Sequence, residues 1–395
     1  MDNKSAPVSG QVYTPVEMIA ALIGFDTTSA KSNLALIDFV ADYLRGHGIA
    51  SRRTASDDGA KANLFATLGP EVAGGVVLSG HSDVVPVAGQ TWDSDPFEMV
   101  ARDGRLYGRG TADMKSFLAI ALALVPEFLA RPLARPIHLA LSYDEEVGCL
   151  GVGRLIADLQ ANLPPPAAVI IGEPTSMRIA SQHKGCYVQR TRITGKEAHS
   201  SQPQSGASAI LAAGELLHFL GRLARERRAA ADPECRFEPP FTTFNIGVIE
   251  GGSALNIIPR HCAFTWEFRP LPGEDPDAVI ARLDDFARIE VLPELRKHAP
   301  EAAIVTERLA GVPPLQIEED GAAEALLRRL SGLNDTIAVS FGTEGGRFQE
   351  AGFSTVVCGP GSIDQAHQPN EFVELAQIEA CTALLRKLGD WAAGG

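Results

Sequence analysis

The feature that most constrains this chain is a rhythm of short apolar runs alternating with helical periodicity. Strand-like segments fall at residues 63–68, 76–79, 137–142 and 169–171, with helices expected over 114–129 and 152–159 between them. Two helices precede them. One starts at the capping sequence Thr14-Pro15-Val16-Glu17, and the other, over 33–45, is stopped by Gly46 and Gly48. Such alternation specifies an α/β fold on a largely parallel sheet, a three-layer α/β/α domain. From about residue 181 to 311 the order changes to strand, helix, strand, strand, helix, strand. That is the βαββαβ pattern of a ferredoxin-like domain. The first rhythm then resumes with a helix at 322–330, strands at 337–341 and 355–358, and a helix at 372–388. The expected organisation is therefore 1–180 and 312–395 as one domain, with 181–311 inserted as a second. The length of 395 residues agrees, since a single core stops growing at roughly 250–300 residues.

Composition removes several classes of function. Asp and Glu number 49 against 35 Lys and Arg, a formal charge of −14, so neither a nucleic-acid backbone nor an anionic membrane is an expected partner. The acid excess is either solubility charge or charge concentrated around a cation. No apolar run approaches the ~20 residues that span a bilayer, and residues 1–10 carry Asp2 and no apolar stretch, so no secretory signal is expected. The six cysteines are scattered singly, which suits free thiols in a reducing cytoplasm.

Acidic and imidazole side chains fall where the apolar strands end. Val76-Val77-Leu78-Ser79-Gly80 runs into His81-Ser82-Asp83, residues 137–143 into Asp144-Glu145-Glu146, and Val169-Ile170-Ile171-Gly172 into Glu173-Pro174. Asp113 opens a helix after Tyr107-Gly108-Arg109-Gly110, and His367 lies in the loop after the strand at 355–358. The carboxyl ends of parallel strands form the ligand crevice of open α/β sheets. His81, Asp113, Glu145, Glu146, Glu173 and His367 are therefore expected at one rim. Any one of them alone reads as a cap or turn residue. Together, such carboxylates repel unless they are protonated or neutralised by cations. Oxygen and imidazole ligands with no thiolate nearby suit zinc, manganese or cobalt, and the count suits two ions sharing a carboxylate.

Spacing separates the roles. Residues two apart in an extended segment share a side, which puts Asp83 behind His81 as partner of its second ring nitrogen. Adjacent Glu145 and Glu146 point opposite ways, one toward metal and the other free to act as a base. Among the remaining histidines, His47, His138 and His218 sit in or at the ends of expected elements and read as structural. His183, His261 and His298 have no supporting pattern. His199, in Gly195-Lys196-Glu197-Ala198-His199-Ser200-Ser201, occupies a polar loop of the inserted domain and is a candidate. Other motifs are incomplete: Val84 stands where a nucleophile elbow needs glycine, and Gly108-Arg109-Gly110 lacks the third glycine of a dinucleotide fingerprint.

The segments Gly80-His81-Ser82-Asp83-Val84-Val85-Pro86, Gly108-Arg109-Gly110-Thr111-Ala112-Asp113-Met114-Lys115, Asp144-Glu145-Glu146 and Gly172-Glu173-Pro174-Thr175 together resemble one family. It is the di-zinc amidohydrolases that include acetylornithine deacetylase, succinyl-diaminopimelate desuccinylase, aminoacylase and carboxypeptidase G. The tail segments Phe341-Gly342-Thr343-Glu344-Gly345-Gly346 and Cys358-Gly359-Pro360-Gly361-Ser362-Ile363-Asp364-Gln365-Ala366-His367-Gln368-Pro369-Asn370-Glu371-Phe372 are similar to the acetylornithine deacetylase branch. The desuccinylase branch has Ser-Asp in place of Thr343-Glu344.

The resemblance implies two divalent ions, Zn2+ first and Co2+ or Mn2+ as alternatives, bridged by Asp113. His81 and Glu173 would complete one site, and Glu146 and His367 the other. Glu145 would be the general base and Asp83 the partner of His81. The inserted domain would serve as lid and homodimer interface, with His199 reaching the partner subunit's site, and Asn256 and Arg269 would hold a substrate carboxylate. Glu344 is expected to meet a substrate ammonium. The implied activity is hydrolysis of a small-molecule N-acyl amino acid, N2-acetylornithine to ornithine and acetate. A desuccinylase, a general aminoacylase and a metallo-dipeptidase are the enzymatic alternatives, and a non-catalytic metal-binding homodimer is the alternative outside catalysis.

Overall fold

In the computed structural model, which describes residues 10–395, the alternating segments build an eight-stranded sheet. Its order is Ser51–Ala55, Ala62–Leu68, Ile137–Ser142, Val76–His81, Ala168–Pro174, Thr355–Gly359, Ala180–His183 and Ile337–Val339. The four strands at its centre, 137–142, 76–81, 168–174 and 355–359, run parallel, with His81 opposite Ser142. Every residue of these four strands is buried, which requires cover on both faces. On one face Leu78, Leu139, Leu141 and Ile170 share a core with the helices Pro15–Ile23, Leu34–Gly46, Lys115–Ala123 and Leu375–Ala392. The helix Val152–Asn162 packs on the same sheet outside that core, burying Val152, Leu155, Ile156 and Leu159.

Local chemistry explains the element ends. Thr14 and Glu17 form the expected capping box: the Thr14 hydroxyl accepts the Glu17 amide at 3.2 Å and the Glu17 carboxylate accepts the Thr14 amide at 2.8 Å. Residues 114–129 do not make one helix. They form Lys115–Ala123 and then Val125–Leu129, because Pro126 has no amide hydrogen to continue the ladder and fits only in a first turn. The expected helix from 372 also starts late. Phe372–Glu374 is instead a strand paired with Arg105–Tyr107, part of a three-stranded sheet with Val100–Arg102.

The chain divides into two units. The first runs to Gln182 and includes Ile317–Ile337 and Thr343–Gly395, while the second comprises His183–Gln316 with Ala338–Gly342. The second unit thus extends past residue 311 and takes a pentapeptide from the stretch expected in the first. Its antiparallel sheet has the order Thr243–Gly251, His261–Arg269, Cys186–Thr194 and Ala303–Val312. The helices Ala209–Ala229 and Pro276–Phe286 complete the βαββαβ sequence. Leu216, Leu220 and Leu223 of the first helix pack on Phe264, Trp266 and Phe268, and Phe219 stacks on Phe286 at 4.4 Å to join the helices.

One buried histidine of the first unit couples stability to pH. His138 stacks on Phe65 at 5.5 Å, its Nδ1 lies 3.0 Å from the Thr67 hydroxyl, and its Nε2 has no partner. Burial lowers its pKa from 6.5 to about 4. Between those values the unfolded state binds a proton that the native state refuses, so stability is full above 6.5 and falls as pH drops toward about 4. His138→Gln is expected to flatten the loss of stability between roughly pH 7 and pH 5 by about 2 kcal/mol, read from urea unfolding at each pH. Parallel pH dependences in the two proteins would remove His138 from the acid response.

Candidate active site

The parallel strands deliver their terminal side chains to one place. His81 is fully buried; its Nε2 lies 3.0 Å from Asp113 Oδ1, 3.5 Å from Glu173 Oε1 and 4.0 Å from Glu145 Oε2. His367 comes from the loop after Thr355–Gly359 with a left-handed φ of 63°. Its Nε2 lies 3.4 Å from Asp113 Oδ2 and 3.0 Å from Glu146 Oε2. The two imidazoles therefore face opposite oxygens of Asp113. The glycines before His81 and Glu173 permit this arrangement: a Cβ on Gly80 would lie 2.2 Å from Met114 Cε, and one on Gly172 would lie 2.0 Å from the Phe117 ring. Helix Lys115–Ala123 can then run close beneath the strand ends and present Asp113 at its start.

Electrostatics define what this cluster lacks. Among the described residues, the ion-pair partners of Asp113, Glu145, Glu146 and Glu173 are His81 and His367, with no Lys or Arg. Burial and mutual repulsion raise Glu145 and Glu173 well above the ordinary carboxylate range and push Glu146 up to about 7. Burial works against Asp113 too, but hydrogen bonds from both imidazoles hold it far below that range. The same bonds, to Asp113 and Glu146, lift His367 to about 10. Burial would depress His81, yet Glu173, Asp113 and Glu145 outweigh it and raise it.

The donor set fits divalent metal. Glu146 Oε1 is buried without a hydrogen-bond partner. Ligand atoms of His81, Asp113 and Glu146, and of His81, Glu145 and Glu173, form groups within 4.8 Å. His81 Nδ1 donates to the Asp83 carbonyl oxygen at 2.9 Å, so Nδ1 keeps its hydrogen, and Nε2, which faces Asp113, Glu173 and Glu145, is the nitrogen that would give up its hydrogen to bind a cation.

Asp83 departs from expectation. The carbonyl, rather than the carboxylate, partners His81; Asp83 Oδ1 is 3.6 Å from Nδ1. The carboxylate instead accepts the Glu145 amide at 3.1 Å, the Glu146 amide at 3.3 Å and the Ser29 hydroxyl at 2.8 Å. It fixes the backbone of both glutamates at once. Glu344 has no exposed surface, and neither carboxylate oxygen has a hydrogen-bond partner. Burial raises it to about 7, with Ser142 beside it pulling the other way. Its charge in turn adds to the raising of Glu145.

The remaining candidates belong to the second unit. His199 is exposed, with the Ser200 amide donating to the Asn256 carbonyl at 3.0 Å beside it. Arg269, at the end of its strand, donates to Glu267 at 3.1 Å.

Sequence reasoning assigned no role to Arg109 or Glu371, which hold Asp113 in place. Both are buried, and their ion pair measures 2.6 Å. Glu371 also accepts the amides of Gly110 at 3.0 Å, Ala112 at 2.7 Å and Asp113 at 3.0 Å. Arg109 further donates to Gln90 at 2.7 Å and lies over Trp92. The local signal was an acid four residues after His367, inside a tail motif already noted for another reason.

Parallel strands carrying carboxylates and imidazoles around a shared aspartate are the frame of a metal-dependent amidohydrolase. The chain belongs to peptidase family M20/M25/M40, which it matches over residues 77–390. It is 38% identical to acetylornithine deacetylase of Myxococcus xanthus, covering 95% of this chain and 97% of that protein. It is 34% identical to the acetylornithine deacetylase of Proteus mirabilis, covering 98% and 97%. Among solved structures, an M20 metallo-carboxypeptidase from Sulfolobus solfataricus superposes with a TM-score of 0.75 at 16% identity, covering 97% of this chain and all of that one (100%). A dinuclear metal-binding M20 peptidase of Bacillus subtilis gives 0.63 at 13%, covering 96% and 98%. At those identities the likeness is one of fold. No helix among the described residues is long and apolar enough to cross a membrane.

The clamp on Asp113 is testable. Glu371→Gln puts an amide group where an acceptor is needed and leaves Arg109 buried without its counter-charge. It is expected to cost about 3–5 kcal/mol of stability and to lower the metal bound per folded chain, measured by denaturant unfolding and elemental analysis. A variant with wild-type stability and metal content would mean that the clamp is dispensable.

Proposed function

We propose that this chain hydrolyses N2-acetylornithine to ornithine and acetate, working as a homodimer with two divalent metal ions. The observation that carries the reading is the pair of imidazoles on opposite oxygens of Asp113, each with its own carboxylate companion. His81 and Glu173 would hold one ion, Glu146 and His367 the other, and Asp113 both. Zinc is the first candidate, with cobalt and manganese as alternatives. The identity to the two acetylornithine deacetylases over nearly the full chain supports the substrate. The free cysteines support a cytoplasmic location.

When bound, the ions act as Lewis acids on the amide carbonyl and bring the acidity of water toward neutrality. Glu145 takes the proton of the attacking water and passes it to the nitrogen as the C–N bond breaks, so that water is divided between acetate and ornithine. The Cys149 thiol donates to Glu145 Oε1 at 3.4 Å, which leaves Oε2 on the side of His81. His199 supplies a hydrogen bond to the developing oxyanion, a contact worth about 3–4 kcal/mol. Arg269 and Asn256 hold the α-carboxylate, with Arg269 contributing a charge-assisted bond. The edge strand Thr243–Gly251 of the second unit supports dimerisation, since it shows Ile246, Val248 and Ile249 to solvent.

Three measurements test this. The kcat/KM of the metal-loaded protein should be highest for N2-acetylornithine in a panel with N-succinyl-diaminopimelate, N-acetylmethionine and dipeptides, and should vanish with chelator. Hydrolysis of no member would favour a metal-binding protein without catalysis. Glu145→Gln should retain its metal and lose about 10²–10⁴-fold in kcat; retained turnover would exclude Glu145 as the base. Mixed dimers of His199→Ala and Glu145→Gln subunits should regain part of the activity that each homodimer lacks. Verified heterodimers without rescue would place His199 in its own subunit's site.

A further inference from the structure

The loop that carries His199 fixes the chemical form of its ring as well as its position. The Ser201 amide donates to His199 Nδ1 at 3.2 Å, and the Ser201 hydroxyl lies 2.8 Å from the same nitrogen. An amide nitrogen only donates, so Nδ1 must present its lone pair and carries no hydrogen. The one ring hydrogen of the neutral imidazole then sits on Nε2. The backbone beneath is tied to the neighbouring segment on both sides. The Ser200 amide donates to the Asn256 carbonyl at 3.0 Å, the Ile258 amide donates to the Ala198 carbonyl at 2.8 Å, and His199 itself bridges Ile257.

We propose that Ser201 is a positioning residue that locks His199 as its Nε2–H tautomer, so that the ring offers a donor and no acceptor at its free edge. This rests on the reading of His199 as the oxyanion donor and deepens it. A histidine that abstracts a proton needs the Nε2 lone pair, and this loop removes it. A histidine that steadies an oxygen as negative charge grows needs a hydrogen on Nε2 in the resting protein, and this loop supplies it without prior protonation. The ring is thereby committed to charge stabilisation, and proton transfer is left to Glu145.

The test is histidine-selective 15N NMR of the metal-loaded dimer near neutral pH, with His199→Gln assigning the signals. In the wild type, Nδ1 of His199 should resonate as an unprotonated nitrogen and Nε2 as a protonated one. In Ser201→Ala only the amide remains to hold the preference, and the two shifts should move toward each other. Turnover should fall with them: kcat lower by roughly 3–10-fold, the value of one hydrogen bond, with KM changed by less than about twofold. Ser201→Thr should restore both. A protonated Nδ1 in the wild type, or wild-type shifts and kcat in Ser201→Ala, overturns the proposal. His199→Ala with full activity would overturn the oxyanion reading instead, while the shifts still decide the tautomer.

Discussion

Everything in the first unit answers to the mutual repulsion of four carboxylates brought together by parallel strands. Asp113, Glu145, Glu146 and Glu173 lie in a buried space where their ion-pair partners are two imidazoles. Without metal, burial keeps three of them above the ordinary carboxylate range. A bound cation removes that penalty, and part of its binding energy then becomes folding energy of the loops that present the ligands. The surroundings are correspondingly over-determined. Asp83 grips two consecutive amides, Glu371 grips three, and the glycines before His81 and Glu173 let a helix pack directly under the strands.

The two units differ in the side chains they offer. The first contributes acids and imidazoles suited to cations and to moving a proton. The second holds His199, Asn256 and Arg269, groups suited to donating hydrogen bonds to oxygen. The edge strand of the second unit shows three aliphatic side chains, Ile246, Val248 and Ile249, to solvent.

Much of this was legible in the sequence because its causes are local. Strand periodicity, the Thr14–Glu17 capping box and the placement of His81, Glu145, Glu146 and Glu173 at strand ends all follow from neighbouring residues. What escaped depends on partners distant in the chain. Glu371 acts on amides about 260 positions earlier, and Phe372–Glu374 becomes a strand because Arg105–Tyr107 waits for it. Glu344 sits in a recognisable tail motif, but its complete burial is a property of packing that the motif does not carry. Asp83 shows a subtler limit. It lies beside His81, yet its carbonyl rather than its carboxylate faces the ring, because the carboxylate is taken by the amides of Glu145 and Glu146.

The Glu371 clamp also sets a timetable. Asp113, Glu145, Glu146 and Glu173 all leave the ribosome before the second unit is made, while His367 and Glu371 follow it. Since domains settle in the order they are synthesised, the nascent first unit spends that interval with its acids assembled, one imidazole present and the Asp113 loop untied. Its first strands can pair early, but Glu146 has no imidazole beside it until the return segment brings His367. The return segment that carries His367 and Glu371 is therefore the last part of the cluster to be laid in.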